Sequence, residues 1–425
     1  MTNRTWMGVL ALGVLGSGAG AQTGRVGCAT DNVGLTLPAG FCAQIVADSV
    51  GQARHLAIAP NGDILVALRD TGARGGVVVL RDTNGDGVAD QKGKFGPRGG
   101  TGLAFFDDHI YFATDTSVVR WPWKANELTP SGAMQTIVTE LPVQRSHAAK
   151  TIAIANDGSL YVNIGAPSNS CQEQDRQRGS KGQNPCPLLE RTGGIWRFDA
   201  RKPMQKQPDG TRWVTGLRNM VAIGMGPDGL TLWGVQHGRD LLYDNWGATH
   251  PIYTEAKSAE NPGEELYRLD RGVDFGWPYC YWDVDAKKKV LSPEYGGDGT
   301  AQGRCANVGQ PMIAFPGHWA PESIVFYNAT QFPAAYRGGA FVAFHGSWNR
   351  GNSPTLQRGF NVSFVPFSGG RPVGSYTVFA DGFRGAPNEQ RHRPMGLAIT
   401  RDGSLIVGDD MRGRIYRIRW VGSGN

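Results

Sequence analysis

The chain has 425 residues, enough for one large domain or two to three ordinary ones with a sizeable buried core. Glycine, at 61 copies, is about twice its average usage; with 25 prolines, 10% aromatics and only 19% charged residues, this excludes a disordered chain and a helical bundle and indicates an all-β protein with many tight turns. The net charge of +6 comes without a Lys/Arg-rich run, which argues against a nucleic-acid partner and suits a small anionic ligand.

Residues 1–21 carry Arg4, an apolar stretch from Trp6 to Leu15, and the small-residue end Ala19-Gly20-Ala21. That is the layout of a secretory signal peptide, with cleavage expected after Ala21. The apolar run falls short of the roughly 20 residues a membrane span needs, and nothing later approaches that length, so a periplasmic or secreted chain without a span is expected. Residues 22–425 read as a single domain. The six cysteines lie as near neighbours, Cys28 with Cys42, Cys171 with Cys186, and Cys280 with Cys305. An even count in an exported chain favours disulfides, and local closure makes this pairing the cheapest. No Cys-x-x-Cys spacing points to a metal site instead.

From residue 55 onward one pattern recurs: a few apolar residues, an Asn/Asp-Gly turn, then an alternating apolar strand. It occupies residues 55–69, 102–114, 151–165, 221–235 and 396–409, with a degenerate copy over 322–345. Asn-Gly and Asp-Gly turns between period-two strands signal hairpins. Copies about 45 to 50 residues apart early in the chain, lengthened later by inserts, predict a six-bladed β-propeller of four-stranded antiparallel blades. The last strand, over 414–421, is expected to close the ring by pairing with the segment around 35–46. The inserts over 167–192 and 241–263 are expected to project as loops from the face that carries the site.

Four stretches carry candidate chemistry. The first, Asp82 to Asp90, places Asp82, Asn84, Asp86 and Asp90 at positions 1, 3, 5 and 9 of a calcium-type loop, but Gly93 stands where position 12 requires Glu. A solvated turn explains the same residues. The second, Arg145 to Lys150, holds His147 just before the third repeat, where an imidazole entering the funnel serves as a base near neutral pH, or simply as a structural hydrogen-bonder. The third, Thr215 to Asn219, offers Arg218 as a permanent cation with forked donors and Asn219 as a neutral partner, suited to an oxyanion or quinone oxygen, or to a loop salt bridge. The fourth, Gln390 to Pro394, spaces Arg391 and Arg393 so that an extended chain aims both to one side, as a receptor for carboxylates or as a surface pair.

His147, Arg218 with Asn219, and Arg391 with Arg393 all lie just upstream of their repeats. Equivalent positions of different blades converge on one end of a propeller axis, so a shared, cationic funnel is predicted. Aromatic clusters such as Trp121 with Trp123, Phe275 with Trp277, and Tyr279 to Trp282 read as blade packing.

Taken together, His147 with Asp157 to Gly165, Gly216 to Asn219, Glu264-Glu265 with Asp274 to Pro278, Trp319 to Ser323, His345 to Arg350, and Arg391 to Pro394 make the chain resemble the soluble pyrroloquinoline-quinone sugar dehydrogenases. The resemblance is to the glucose/sorbosone dehydrogenase family, in particular its sorbosone dehydrogenase-like branch, over nearly all of the chain past the signal. It implies a pyrroloquinoline quinone (PQQ) across the funnel with calcium (Ca2+) beneath it. His147 would be the base, Arg218 and Asn219 would contact the quinone oxygens, and Arg391 and Arg393 would hold the cofactor carboxylates. The resemblance also implies calcium on backbone carbonyls, which fall here at Gln236, His237 and Gly238. Two departures stand out: Ala166 replaces an acidic residue of relatives, and the family's lysine near the cofactor has only Arg350 as a nearby cation in the matching stretch. The expected protein is an exported quinoprotein dehydrogenase that oxidises an aldose, a sorbosone-like aldehyde or a related polyol and passes electrons to an acceptor such as a cytochrome or quinone. The alternatives are a calcium-dependent lactonase-type hydrolase, which needs a ring of acidic and amide side chains around the metal, and a non-catalytic binding propeller, which needs no converging His and Arg.

Overall fold

The computed structural model describes residue 1 and residues 27–422, apart from 71, 73, 97, 98, 352, 387 and 388. The signal-peptide expectation therefore lies outside the described residues, Met1 aside. The Asp-Gly repeats do form hairpins. In the third repeat the amide of Gly158 donates to the Ala155 carbonyl at 2.9 Å, and Gly158 sits at φ +90°, a conformation that favours glycine.

Each hairpin seeds one antiparallel blade. Blade 1 comprises Ala53–Ile58, Ile64–Leu68, Gly76–Arg81 and Gln91–Phe95; blade 2 comprises Gly100–Phe106, His109–Thr114, Val118–Pro122 and Gln135–Thr139. Blade 3 is built from Ile152–Ile154, Ser159–Ile164, Gly194–Asp199 and Thr211–Thr215, and blade 4 from Ala222–Met225, Leu232–Gln236, Glu264–Arg268 and Ile313–Phe315. Blade 5, from the degenerate repeat, has Pro321–Phe326, Ala340–His345, Phe360–Val365 and Thr377–Ala380. Blade 6 has Pro394–Ile399, Leu405–Asp409 and Ile415–Trp420, completed by Phe41–Ala47 from the other end of the chain. That last pairing runs from Phe41 opposite Trp420 to Ala47 opposite Ile415, the ring closure expected from the sequence.

The core is distributed between blades. A separate apolar cluster fills each junction, such as Leu65, Phe112 and Trp121 between blades 1 and 2, or Phe41, Phe341 and Tyr416 between blades 5 and 6. Second strands are covered on both sides; every residue of Ser159–Ile164 is buried. Trp121, Trp123, Phe275, Trp277, Tyr279 and Tyr281 are buried as packing residues. Polar groups are left to the axis.

All three local disulfides are present. Two of them each close one insert, and the inserts pack into one cap where Cys171, Cys186, Cys280 and Cys305 share a cluster with Trp277 and Tyr279. The insert over 241–263 holds two short helices, Leu242–Trp246 and Glu255–Glu260, where loop was expected, and residues 269–312 add the hairpin Cys280–Asp283 and Lys288–Leu291. Inside this cap Arg239 pairs with Glu294, whose carboxylate also accepts from Trp246 Nε1 at 2.9 Å.

Candidate active site

The innermost strands of four blades break register at their axial start: between Ala53 and Leu56, Gly100 and Gly102, Pro321 and Ser323, and Pro394 and Leu397. Such bulges re-aim side chains. Arg54, Thr101 and Glu322, in three of them, line an axial cavity of about 440 Å3 together with His147, Asn219 and His345. A smaller cavity of about 170 Å3 shares His147 and Asn219 with the first and adds Arg218, Asp240, Glu264 and His318.

His147 has φ +53°, and the turn that holds it is pinned by Gln144, whose Nε2 donates to the carbonyls of His147 at 2.8 Å and Gly165 at 2.7 Å. Its Nδ1 lies 2.5 Å from the Ala166 carbonyl oxygen. A carbonyl only accepts, so Nδ1 carries the proton and Nε2 keeps its lone pair. Burial, reinforced by the Arg218 cation, lowers the imidazole to about 3, so it stays neutral at ordinary pH. At this position, where the chain carries Ala166, the contact to the imidazole is made by the backbone carbonyl. Gly165 is needed for the approach: a Cβ there would lie 2.9 Å from both His147 Cβ and Asn219 Oδ1.

Arg218 is buried and donates through Nη1 to the Gly238 carbonyl at 2.9 Å and through Nη2 to Asp240 Oδ2 at 2.7 Å. Asp240 is the hub of the smaller cavity, accepting also from Arg176 at 2.9 Å and Asn349 at 2.9 Å, with His318 Nδ1 at 3.6 Å. Burial works against its charge, but Arg218, His318 and Arg176 together hold it well below the usual carboxylate range. His318 is likewise opposed by burial and raised by Asp240, whereas burial pushes Glu264 up. Glu264 accepts from the amides of Gly238 at 2.7 Å and Ala320 at 3.1 Å.

Several buried polar atoms around these cavities have no hydrogen-bond partner: Arg218 Nε, Asn219 Oδ1, Gln144 Oε1 and Glu322 Oε2. Buried donors and acceptors are normally paired, so this grouping marks a place built for a polar ligand.

The other expected residues are distributed as follows. Arg393 donates to the carbonyls of His345 at 2.9 Å and Gly346 at 2.8 Å; of these residues, His345 lines the axial cavity. Arg391 is exposed and pairs with Glu389 at 2.9 Å, and it lines neither axial cavity. Arg350 is buried and engaged by the carbonyls of Ala259 and Gly317 and by Glu260. His237 donates from Nε2 to the Pro321 carbonyl at 2.7 Å, and Gly238 lies in the smaller cavity. The structure therefore brings His147, Arg218, Asn219, His237 and Gly238 together and sets Arg391 and Arg350 elsewhere. Asp82, Asn84, Asp86 and Asp90 form one turn on blade 1, their side chains accepting from backbone amides such as Gly85 and Gly87, each 2.7 Å from Asp82. Asp240, His318 and Gln144 carried no sequence assignment; Glu264, Glu322, His345 and Asn349 stood in the quoted motifs without a role.

A ring of six blades with polar groups converging on the axis defines the structural class. Within it, the TrAA12-like family model matches residues 35–421, and the chain belongs to that family. The resemblance read from the sequence holds at this level. A pyrroloquinoline quinone-dependent sugar dehydrogenase of Hypocrea jecorina is 24% identical over 431 residues, covering 92% of this chain and 91% of that one. A protein of Borreliella burgdorferi is 28% identical over 205 residues, 48% of this chain; the chain spans about half, 47%, of that relative's length. The holo form of the pyranose dehydrogenase PQQ domain from Coprinopsis cinerea superposes with a TM-score of 0.72 at 20% identity, over 91% of this chain and 97% of that one. The calcium structure of a Trichoderma reesei family AA12 enzyme gives 0.72 at 21% identity, over 92% and 100%. At these identities the two structures establish a shared fold.

Proposed function

We propose that the chain is an exported PQQ-dependent dehydrogenase that oxidises an aldose, a sorbosone-like aldehyde or a related polyol, and delivers electrons to a cytochrome or quinone. One observation carries this reading: a neutral His147 with a free Nε2 stands beside the unpartnered Arg218 Nε and Asn219 Oδ1 in connected cavities. Family membership and the named Hypocrea relative support the cofactor.

The residues fit an anionic, oxygen-rich cofactor. Arg218 keeps its Nε–H donor unused in a buried site and would bond one of the cofactor's oxygens; Asn219, next to it, would do so through its Nδ2 amide, since its orphaned Oδ1 only accepts; Arg393 would add charge. Calcium takes hard oxygens; the Gly238 carbonyl and the Asp240 and Glu264 carboxylates would be the donors, and each would have to release a present partner: Arg218, the arginines with Asn349, and the Gly238 and Ala320 amides, respectively. When bound, the quinone supplies a two-electron oxidant, chemistry that no side chain here provides.

His147 Nε2 would take the hydroxyl proton of the donor sugar. The hydrogen bond from Nδ1 to the Ala166 carbonyl fixes the tautomer that leaves Nε2 free and steadies the imidazolium once formed. Gln144 and Gly165 keep the ring and the Asn219 amide in close register. Asp240 holds the Arg218 guanidinium in place with its charge balanced.

Reconstitution of the full chain with PQQ and calcium, followed by aldoses and an artificial electron acceptor, tests the proposal. Sugar-dependent dye reduction that requires the quinone is expected; a chain that does not bind the quinone would overturn it. The leader-like residues 1–21 and the three disulfides support export, and no helix among the described residues is long and apolar enough to cross a membrane.

A further inference from the structure

A third cavity, of about 360 Å3, lies against the smaller catalytic one and shares Trp348 and Asn349 with it. Asn349 connects the two directly, since its Nδ2 donates to Asp240, the partner of Arg218. The cavity therefore continues the trench that begins at His147.

Its walls have a particular chemistry. Trp348 is 63% exposed and Tyr243 45% exposed, although large aromatics elsewhere in the inserts, such as Trp246 and Tyr253, are buried. Asp244 and Glu255 stand beside them, and the Ser258 hydroxyl, also lining the cavity, has no partner. The one cation in the lining, Arg350, is committed to Glu260 and to three carbonyls, which leaves the cavity with acceptors and net negative charge. A pyranose ring has apolar C–H faces that cover aromatic surface and hydroxyls that donate to carboxylates. A uronic acid would bring its own carboxylate against Asp244 and Glu255 and be repelled.

Building on the dehydrogenase reading, we propose that this cavity is a second sugar subsite, holding the ring next to the one that reacts at His147. The substrate is then the end of an oligosaccharide of neutral or amino sugars. Tyr243 and Trp348 supply the stacking surface, and Asp244 and Glu255 accept hydroxyl or ammonium protons.

Two measurements on the full chain test this: steady-state kinetics of the reconstituted protein with glucose and cellobiose, and calorimetric titration of both sugars without cofactor. The KM and Kd for cellobiose are expected to be about tenfold below those for glucose. Tyr243→Ala should erase that difference while leaving glucose kcat unchanged, Tyr243→Phe should retain it, and digalacturonate should bind no better than glucose. Equal constants for the two sugars, a Tyr243→Ala chain that keeps the difference, or tight digalacturonate binding would overturn the subsite. Tyr243-dependent cellobiose binding by a chain that oxidises no sugar would uphold the subsite and remove the dehydrogenase reading. Glucose oxidation without any chain-length effect would do the reverse.

Discussion

In the proposed reaction His147 concentrates the chemistry of the site in one ring. Its folded-state value is depressed from 6.5 to about 3, first by burial and then by Arg218, so folding favours the neutral form. The resulting contribution to stability is full above about pH 6.5 and is lost as the pH falls from there toward 3. For the same reason the acid limb of kcat/KM due to this residue should lie near pH 3, with no His147 step near 6.5, as a pH-rate profile would reveal. His147→Ala should lower kcat by about a hundredfold or more while quinone titration remains unchanged. A variant that lost only thermal stability would remove the base assignment. His147, Arg218 and Asn219 were legible because they stand at equivalent points ahead of repeated strands. Asp240 and His318 lie outside those points, and the Ala166 contact is made by a carbonyl, which leaves no side-chain signature. Spacing alone did not carry Arg391 to the axis: its side chain is exposed and pairs with Glu389, whereas Arg393 bonds the His345 and Gly346 carbonyls.

At the scale of elements, hairpins and disulfides were readable because both are local: an Asp-Gly turn or a cysteine pair closes within a short stretch of chain. Bulges were not, since a register break depends on the neighbouring strand, yet it is the bulges that turn Arg54, Thr101 and Glu322 toward the axis. The short helices Leu242–Trp246 and Glu255–Glu260 were equally silent, being too brief to show a periodic face and held by packing in the cap. The Cys171–Cys186 bridge closes the insert whose Asn169 and Arg176 both bond Asp240, through its backbone and its carboxylate respectively. Replacing both cysteines by serine should cost about 3 kcal/mol by loop entropy and weaken quinone binding through the loosened Asp240. Thermal denaturation and quinone titration of the double variant measure the two effects; a stability loss with wild-type quinone affinity would separate the insert from the site.

Across the whole molecule, six interblade clusters carry the packing and leave the axis to polar groups, a division that the repeat spacing alone anticipated. Ring closure by Phe41–Ala47 against Ile415–Trp420 removes the open edge that a linear row of blades would keep. Segments from five blades and the insert over 167–192 then meet at one end, so the site is a property of the closed ring and not of any single blade. The central proposal is that the buried Arg218 Nε–H, left unpaired beside the Asn219 amide, receives a quinone cofactor. Equilibrium titration of PQQ with calcium into wild-type, Arg218→Met and Asn219→Ala chains tests it most directly. The account predicts one quinone bound per wild-type chain and affinity reduced about tenfold or more in each variant; wild-type affinity in both variants would contradict it.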